Sequence, residues 1–103
     1  MYVVMGVHHP KAGMEKPLLE VQERFGVAAR GHQGLISGFI WKDDQTSVII
    51  GITLWDTKEG YDAARPDLDK ALQGADFRAF DSAMEIYRGS PCSGPDQVSA
   101  LLT

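Results

Sequence analysis

Two adjacent histidines, His8 and His9, are the residues of this 103-residue chain best suited to proton transfer. An imidazole takes up and releases a proton near neutral pH, so one of the two would act as a general base. Because successive strand side chains point to opposite faces, at most one is expected to enter a pocket. The alternative is a loop position at the frayed end of a strand. No metal site is predicted, since His32 and Cys92 lack ligand spacing to the pair.

Trp55 completes the predicted catalytic set with the two histidines. It ends an apolar run, and its indole would provide a flat pocket wall with a hydrogen-bond donor at one edge. The alternative is a core tryptophan whose N–H finds a backbone partner. The sequence leaves both interpretations open.

Three further residues are predicted to bind substrate: Tyr61, Arg65 and Phe77. Tyr61 and Arg65 are four positions apart, which makes them neighbours on a helix. The tyrosine would donate a hydrogen bond to a phenolate or quinone oxygen, and the arginine would pair with a carboxylate. Alternatively, Tyr61 packs on the sheet, Arg65 is solvated, and Phe77 belongs to the core or to a dimer interface.

The elements that must position these residues follow from the spacing of apolar residues and from the turn residues. Apolar residues at steps of three and four predict the helices, and valine-rich or isoleucine-rich runs predict the strands. The predicted elements are a strand over 2–8, a helix over 14–30, strands over 35–42 and 47–55, a helix over 58–72, and a strand over 83–88.

Four residues within or beside these elements indicate local features of the structure. Thr57 is expected to cap the second helix, and Asp76 a short turn that follows it. Pro66 lies inside the second helix, so we expect a kink or break there. Gly26 lies inside the first helix, and a close approach of that helix to the sheet would explain it.

The third strand is apolar on both of its predicted faces. One face carries Val48, Ile50 and Ile52, and the other carries Ile49 together with residues that are not charged. A strand with one solvated face alternates apolar with polar residues instead. Two helices cover only one face of a sheet, so we expect a second copy of the chain on the other. The order β-α-β-β-α-β predicts an α+β, ferredoxin-like fold with a four-stranded antiparallel sheet, paired into a dimeric α+β barrel.

The composition bounds the class of protein. The net charge is −4 and no stretch concentrates lysine or arginine, so neither nucleic acid nor membrane is an expected partner. A single cysteine and the lack of a signal-like leader or a bilayer-spanning run favour a cytoplasmic protein. Residues 1–89 are expected to form one domain, followed by a C-terminal tail over 90–103 that is rich in serine, proline and glycine at its start.

The chain resembles the antibiotic biosynthesis monooxygenase-like family of the dimeric α+β barrel superfamily. The resemblance covers roughly residues 1–88 and rests on four motifs. They are Val7-His8-His9-Pro10-Lys11-Ala12-Gly13-Met14-Glu15, Gly34-Leu35, Leu54-Trp55-Asp56-Thr57-Lys58-Glu59-Gly60 and Asp76-Phe77.

This resemblance implies a pocket between sheet and helices in each subunit, and a chemistry that needs no bound cofactor. The family's haem-degrading branch uses an asparagine on strand one, a tryptophan ending strand three and a histidine on the second helix. Trp55 matches the tryptophan, but the chain has no asparagine and no histidine between Thr57 and Leu72. The resemblance therefore argues against haem degradation.

Three functions are consistent with these observations. The first is a homodimeric protein that binds an aromatic or polyketide-like molecule and oxidises it as a cofactor-independent monooxygenase. The second is a ligand-binding or dimerisation module without catalysis. An isomerase or lyase would use the same proton abstraction without oxygen.

Overall fold

The computed structural model describes residues 1–92. Four strands and three helices make up this part of the chain. They are β1 (Tyr2–Pro10), α1 (Glu15–Arg30), β2 (Leu35–Lys42), β3 (Ile49–Trp55), α2 (Lys58–Ala71), α3 (Phe77–Phe80) and β4 (Asp81–Gly89). The predicted tail over 90–103 lies largely outside the described residues.

The strands form one antiparallel sheet in the order β2-β3-β1-β4. β1 and β3 are the central strands, and each β-α-β half connects two strands that follow each other along the chain but are not neighbours in the sheet. This is the ferredoxin-like arrangement, so the predicted α+β class and antiparallel sheet are confirmed. Alternation along β1 turns Tyr2, Val4, Gly6 and His8 toward the helices.

β1 and β4 are longer than predicted, and the added residues lie beside each other. β1 continues to Pro10 and β4 begins at Asp81, where the two residues pair after a register shift. The β1–β3 pairing already ends at His8 with Ile49, so Pro10 has no neighbour on that side. Its missing N–H therefore costs no ladder hydrogen bond, which is why proline is tolerated here.

The caps of the helices form as predicted, but the expected break in α2 is wrong. Thr57 Oγ1 accepts a hydrogen bond from the Gly60 amide, and Asp76 Oδ1 accepts one from the Arg78 amide. α2 runs without interruption through Pro66, which is exposed. Water can therefore solvate the Asp62 carbonyl, which has lost its helical partner.

The hydrophobic core lies between the helices and one end of the sheet. It contains Tyr2, Val4, Ala29, Trp55, Tyr61, Ala64 and Leu68. Gly26 does not mark a close helix–sheet approach, contrary to expectation. A Cβ atom built there would meet no heavy atom within 4 Å, because Gly26 borders a cavity.

The opposite face of the sheet carries large apolar side chains that no other part of residues 1–92 covers. Phe39, Trp41 and Tyr87 are 50%, 53% and 58% exposed. By alternation, Val3, Met5 and Val7 of β1 lie on this outer face as well. Single exposed apolar residues are ordinary on a protein surface, whereas a contiguous group of them usually marks an interaction site.

Candidate functional site

A cavity of about 500 Å³ lies between the helix-facing side of the sheet and the helices. Its volume falls within the range of small-molecule sites, and most of its wall is apolar. Polar side chains reach it from two ends. His8 and Gln22 line one end, and Tyr61, Arg65 and Arg88 line the other.

His8 lies on the helix-facing side of β1 and is 3% exposed. Its Nδ1 atom is 2.8 Å from Oδ2 of Asp81, the first residue of β4. Asp81 is buried too, and its Oδ1 atom has no hydrogen-bond partner among the described residues. The register shift after His9 brings this carboxylate to the helix-facing side. Asp81 thereby fixes the orientation of the imidazole and favours the tautomer protonated on Nδ1.

The other ring nitrogen of His8 contacts Gln22 of α1. The Nε2 atom lies 2.7 Å from the side-chain amide nitrogen of Gln22. With Nδ1 protonated, Nε2 accepts a hydrogen bond from this amide. A ligand that gives a proton to Nε2 must therefore take the place of the Gln22 amide.

Two paired glycines make room for this arrangement. Gly6 of β1 lies opposite Gly51 of β3 in the sheet. A Cβ atom at Gly6 would lie 3.2 Å from His8 Nε2, and one at Gly51 would lie 2.5 Å from Gln22 Oε1. Side chains at these positions would displace the imidazole and the amide, so the floor of the cavity stays flat between its two ends.

Phe77 completes the wall beside His8. Its ring centroid is 5.6 Å from that of the imidazole, at an interplanar angle of 31°. The capped turn that begins at Asp76 presents this ring to the cavity. Phe77 thus borders the cavity, as the predicted binding role requires.

At the far end of the cavity, Tyr61 is 4% exposed, and its hydroxyl accepts a hydrogen bond from Arg88 Nε at 3.3 Å. This bond is the main reason why the pKa of Arg88 is raised above its ordinary value. Arg65 lies over the Tyr61 ring, 5.8 Å from its centroid, and also contacts Asp69. Both Tyr61 and Arg65 border the cavity, as a binding role requires.

Trp55 is fully buried behind Tyr61 and is not part of the cavity wall. The two rings meet edge to face with centroids 5.6 Å apart, and the indole N–H donates to Thr53 Oγ1 at 2.9 Å. The partner is a side-chain hydroxyl rather than the backbone group of the alternative interpretation. Any effect of Trp55 on a ligand must pass through neighbours that line the cavity, such as Tyr61 and Thr53.

His9 lies on the outer face of the sheet, away from the cavity. Its Nε2 atom is 3.0 Å from Glu85 Oε2, and both side chains are partly exposed. Only His8 of the adjacent pair reaches the cavity, which agrees with the expected alternation along the strand.

Within residues 1–92, no three side chains of His, Cys, Asp or Glu are grouped closely enough to hold a metal ion. In the same part of the chain, no helix has the length and apolar character needed to cross a membrane.

No protein-family model matches the sequence, and no curated protein matches it. Solved structures do match. A Mycobacterium tuberculosis protein aligns with a TM-score of 0.77 at 11% identity, over 91% of this chain and 97% of its own. A proposed antibiotic biosynthesis monooxygenase from Deinococcus radiodurans gives 0.74 at 13% identity, over 91% and 95%. SnoaB, a cofactor-independent oxygenase from Streptomyces nogalater, gives 0.71 at 12% identity, over 91% and 96%.

The chain has the antibiotic biosynthesis monooxygenase-like fold. At these sequence identities the likeness establishes the fold, and it confirms the resemblance seen in the sequence at that level. The activity is a separate question that depends on the cavity residues.

Within the monooxygenase-like fold, three residues at the two ends of the cavity were not predicted from the sequence. Gln22 and Arg88 line the cavity, and Asp81 contacts it through His8. Gln22 looked like one of several polar residues on an amphipathic helix. Asp81 is separated from His8 by 73 positions, so no local motif joins them. The β-α-β-β-α-β order does pair the first and last strands, and that pairing was the available signal for Asp81 and Arg88.

Proposed function

We propose that this chain is a homodimeric protein that binds a planar aromatic molecule and oxidises it with dioxygen, without a bound cofactor. The observation that carries the proposal is the buried His8–Asp81 pair at the wall of a largely apolar cavity. Burial of a carboxylate and an imidazole is costly unless they are paired, and such pairs are frequent at sites of proton transfer. The likeness to SnoaB supports the same class of chemistry.

His8 is the general base of the proposed reaction. Its Nε2 atom takes a proton from an acidic carbon or phenol of the ligand, and Asp81 stabilises the imidazolium that forms. Gln22 leaves Nε2 when the ligand arrives, since the nitrogen has one lone pair to offer.

The substrate anion supplies all the electrons. For a methylene activated by aromatic rings and a carbonyl, loss of the proton gives a carbanion that passes an electron to dioxygen. The resulting radicals combine into a carbon–oxygen bond, and His8 returns its proton to the peroxide. Loss of water from the hydroperoxide leaves a carbonyl, so one oxygen atom enters the product and the other becomes water.

The outer face of the sheet supports the homodimer. Phe39 and Trp41 on β2 and Tyr87 on β4 are each at least half exposed. The two strands that lie between β2 and β4, β3 and β1, are apolar. A second copy presenting the same face would bury both groups at once in a symmetric interface. The cavity lies on the other side of the sheet, so pairing would leave its polar ends in place.

Oxygen uptake with anthrone and a panel of aromatic polyols tests the activity. We expect the rate above the protein-free background to fall about 10²- to 10⁴-fold in His8→Ala, the usual contribution of a general base. His9→Ala keeps the wild-type rate, because His9 does not border the cavity. Trp55→Phe is a third variant. Any loss of oxygen-uptake rate in it is indirect, because Trp55 does not border the cavity. A His8→Ala rate equal to that of wild type contradicts the role given to His8.

One observation favours the alternative, a ligand-binding module without catalysis. Both ring nitrogens of His8 already have partners, as in a histidine whose role is structural. The module predicts ligand binding without oxygen uptake and without exchange of substrate protons in heavy water. An isomerase or lyase predicts that exchange under anaerobic conditions, again without oxygen uptake.

A further inference from the structure

Positive charge is in excess at the wall of the cavity. Three arginines and two carboxylates line it: Glu23, Arg30, Arg65, Asp69 and Arg88. Arg65 is partly neutralised by Asp69, with 3.4 Å between Nε and Oδ1. Arg88 makes no salt bridge with any of residues 1–92. Arg30 makes none either, but Arg88 is the one of these two arginines that is hydrogen-bonded to Tyr61.

Arg88 and Tyr61 are held side by side. Arg88 donates to the Tyr61 hydroxyl through Nε, and its terminal nitrogens make no hydrogen bond to the described residues. The hydroxyl accepts that bond and keeps its own proton available for donation. The Tyr61 ring is fixed by Tyr2 and Trp55, each with its centroid 5.6 Å away. A rigid hydroxyl donor beside a guanidinium suits a planar anion such as a carboxylate.

The strand register sets the distance from this pair to His8. β4 places Arg88 beside Val4 and Met84 beside His8. Four residues of strand separate these levels by roughly 13 Å between Cα atoms. The imidazole leans back over Gly6, so its Nε2 atom is only two residues, or about 7 Å, from the level of Arg88. A fused aromatic system of two or three rings spans that length.

We propose that Tyr61 and Arg88 form a carboxylate-binding subsite, and that the ligand is a fused aromatic acid lying flat between this subsite and His8. The flat floor at Gly6 and Gly51 accommodates the rings. The assignment rests on the proposed function for the role of His8, whereas carboxylate binding itself is measurable without turnover.

The test compares two probes of the same shape in a binding titration. One is a hydroxynaphthoate with its hydroxyl and carboxylate at opposite ends of the ring system, and the other is its neutral carboxamide. Wild-type protein is expected to bind the carboxylate at least about tenfold more tightly, as a charge-assisted contact implies. In Arg88→Met the two dissociation constants become equal. The matched control Arg24→Met removes an exposed arginine outside the cavity and keeps the preference.

Tyr61→Phe provides a second variant with little change in volume, and it is expected to reduce the preference only in part. Circular dichroism checks that each variant folds. Equal affinities of wild type for the two probes, no binding of either probe, or an Arg88→Met protein that keeps its preference would overturn the subsite. Tighter binding of the carboxylate probe by wild type, together with no oxygen uptake, would support the subsite and contradict only the proposed oxygenase activity.

Discussion

His8 and Asp81 are hydrogen-bonded to each other at the junction of the first and last strands, with 2.8 Å between Nδ1 and Oδ2. Both side chains are almost completely removed from solvent. A contact between two buried polar groups imposes a large cost on any variant that leaves one of them unpaired.

Replacement of Asp81 by asparagine tests whether the carboxylate sets the imidazole tautomer. The asparagine amide N–H can donate to Nδ1, which moves the histidine proton toward Nε2 and abolishes its capacity as a base. Long-range proton–nitrogen correlation NMR of labelled histidine would show the change. Oxygen uptake should fall about as far as in His8→Ala, by 10²- to 10⁴-fold.

The control for this experiment is Glu85→Gln, which alters the partner of His9 on the outer face. It should leave the His8 signals as they are in wild type. An Asp81→Asn protein with an unchanged His8 tautomer and full activity would show that Asp81 has no positioning role.

Removal of the Gln22 amide is expected to expose Nε2 of His8. In Gln22→Ala, diethyl pyrocarbonate should modify His8 several-fold faster than in wild type, because the nitrogen has lost its hydrogen-bond donor. Peptide mass mapping gives the rate, with His32 as internal reference. Gly51→Ala should have a similar effect, since its Cβ atom would lie 2.5 Å from the present position of Gln22 Oε1. Equal His8 rates in all three proteins would contradict the contact.

Gly26→Ala is predicted to raise the free energy of unfolding by about 0.5–1 kcal/mol, the usual gain on replacing a glycine inside a helix. No heavy atom lies within 4 Å of the new methyl group, so nothing offsets the gain. Urea denaturation provides the measurement. Lower stability in Gly26→Ala would show that this part of α1 lies closer to the sheet than described.

Trp41→Glu tests the proposed dimer. The indole is 53% exposed on the outer face, where a second copy would cover it, and a carboxylate buried there would have no partner. We expect wild type to have the mass of a dimer by light scattering at micromolar concentration, and Trp41→Glu that of a monomer. Gln73→Glu adds the same charge at an exposed site beyond α2 and should remain dimeric. A monomeric wild type would refute the dimer.

The fold was largely predictable from the sequence, because its elements depend on local patterns. Alternating apolar runs gave β2 with its observed bounds, and Thr57 marked the start of α2. The continuity of α2 through Pro66 was not predicted, because a proline disrupts a helix less when the freed carbonyl faces water, and burial of that carbonyl is not visible in the sequence. The ends of β1 and β4 were missed because Pro10 is tolerated only through the absence of a neighbouring strand, which is a property of the sheet.

The candidate site was predictable only in part. Strand alternation established that one histidine at most would reach a cavity, but not which. Trp55 suited a pocket wall and Tyr61 a hydrogen-bond donor, and only the packing of Trp55 behind Tyr61 shows that Tyr61 alone borders the cavity. Asp81 and Arg88 depend on the register of β4 against β1, which the sequence of neither strand specifies alone.

The pairing of β1 with β4 means that the two halves of the His8–Asp81 pair come from opposite ends of the domain. During synthesis, a chain that has emerged only as far as α2 contains His8 and Gln22 but not the carboxylate that orients the imidazole. In the proposed reaction, proton abstraction by an oriented imidazole would therefore begin only when the final strand has docked. A chain truncated before β4 would therefore lack the oriented base that the proposed reaction requires.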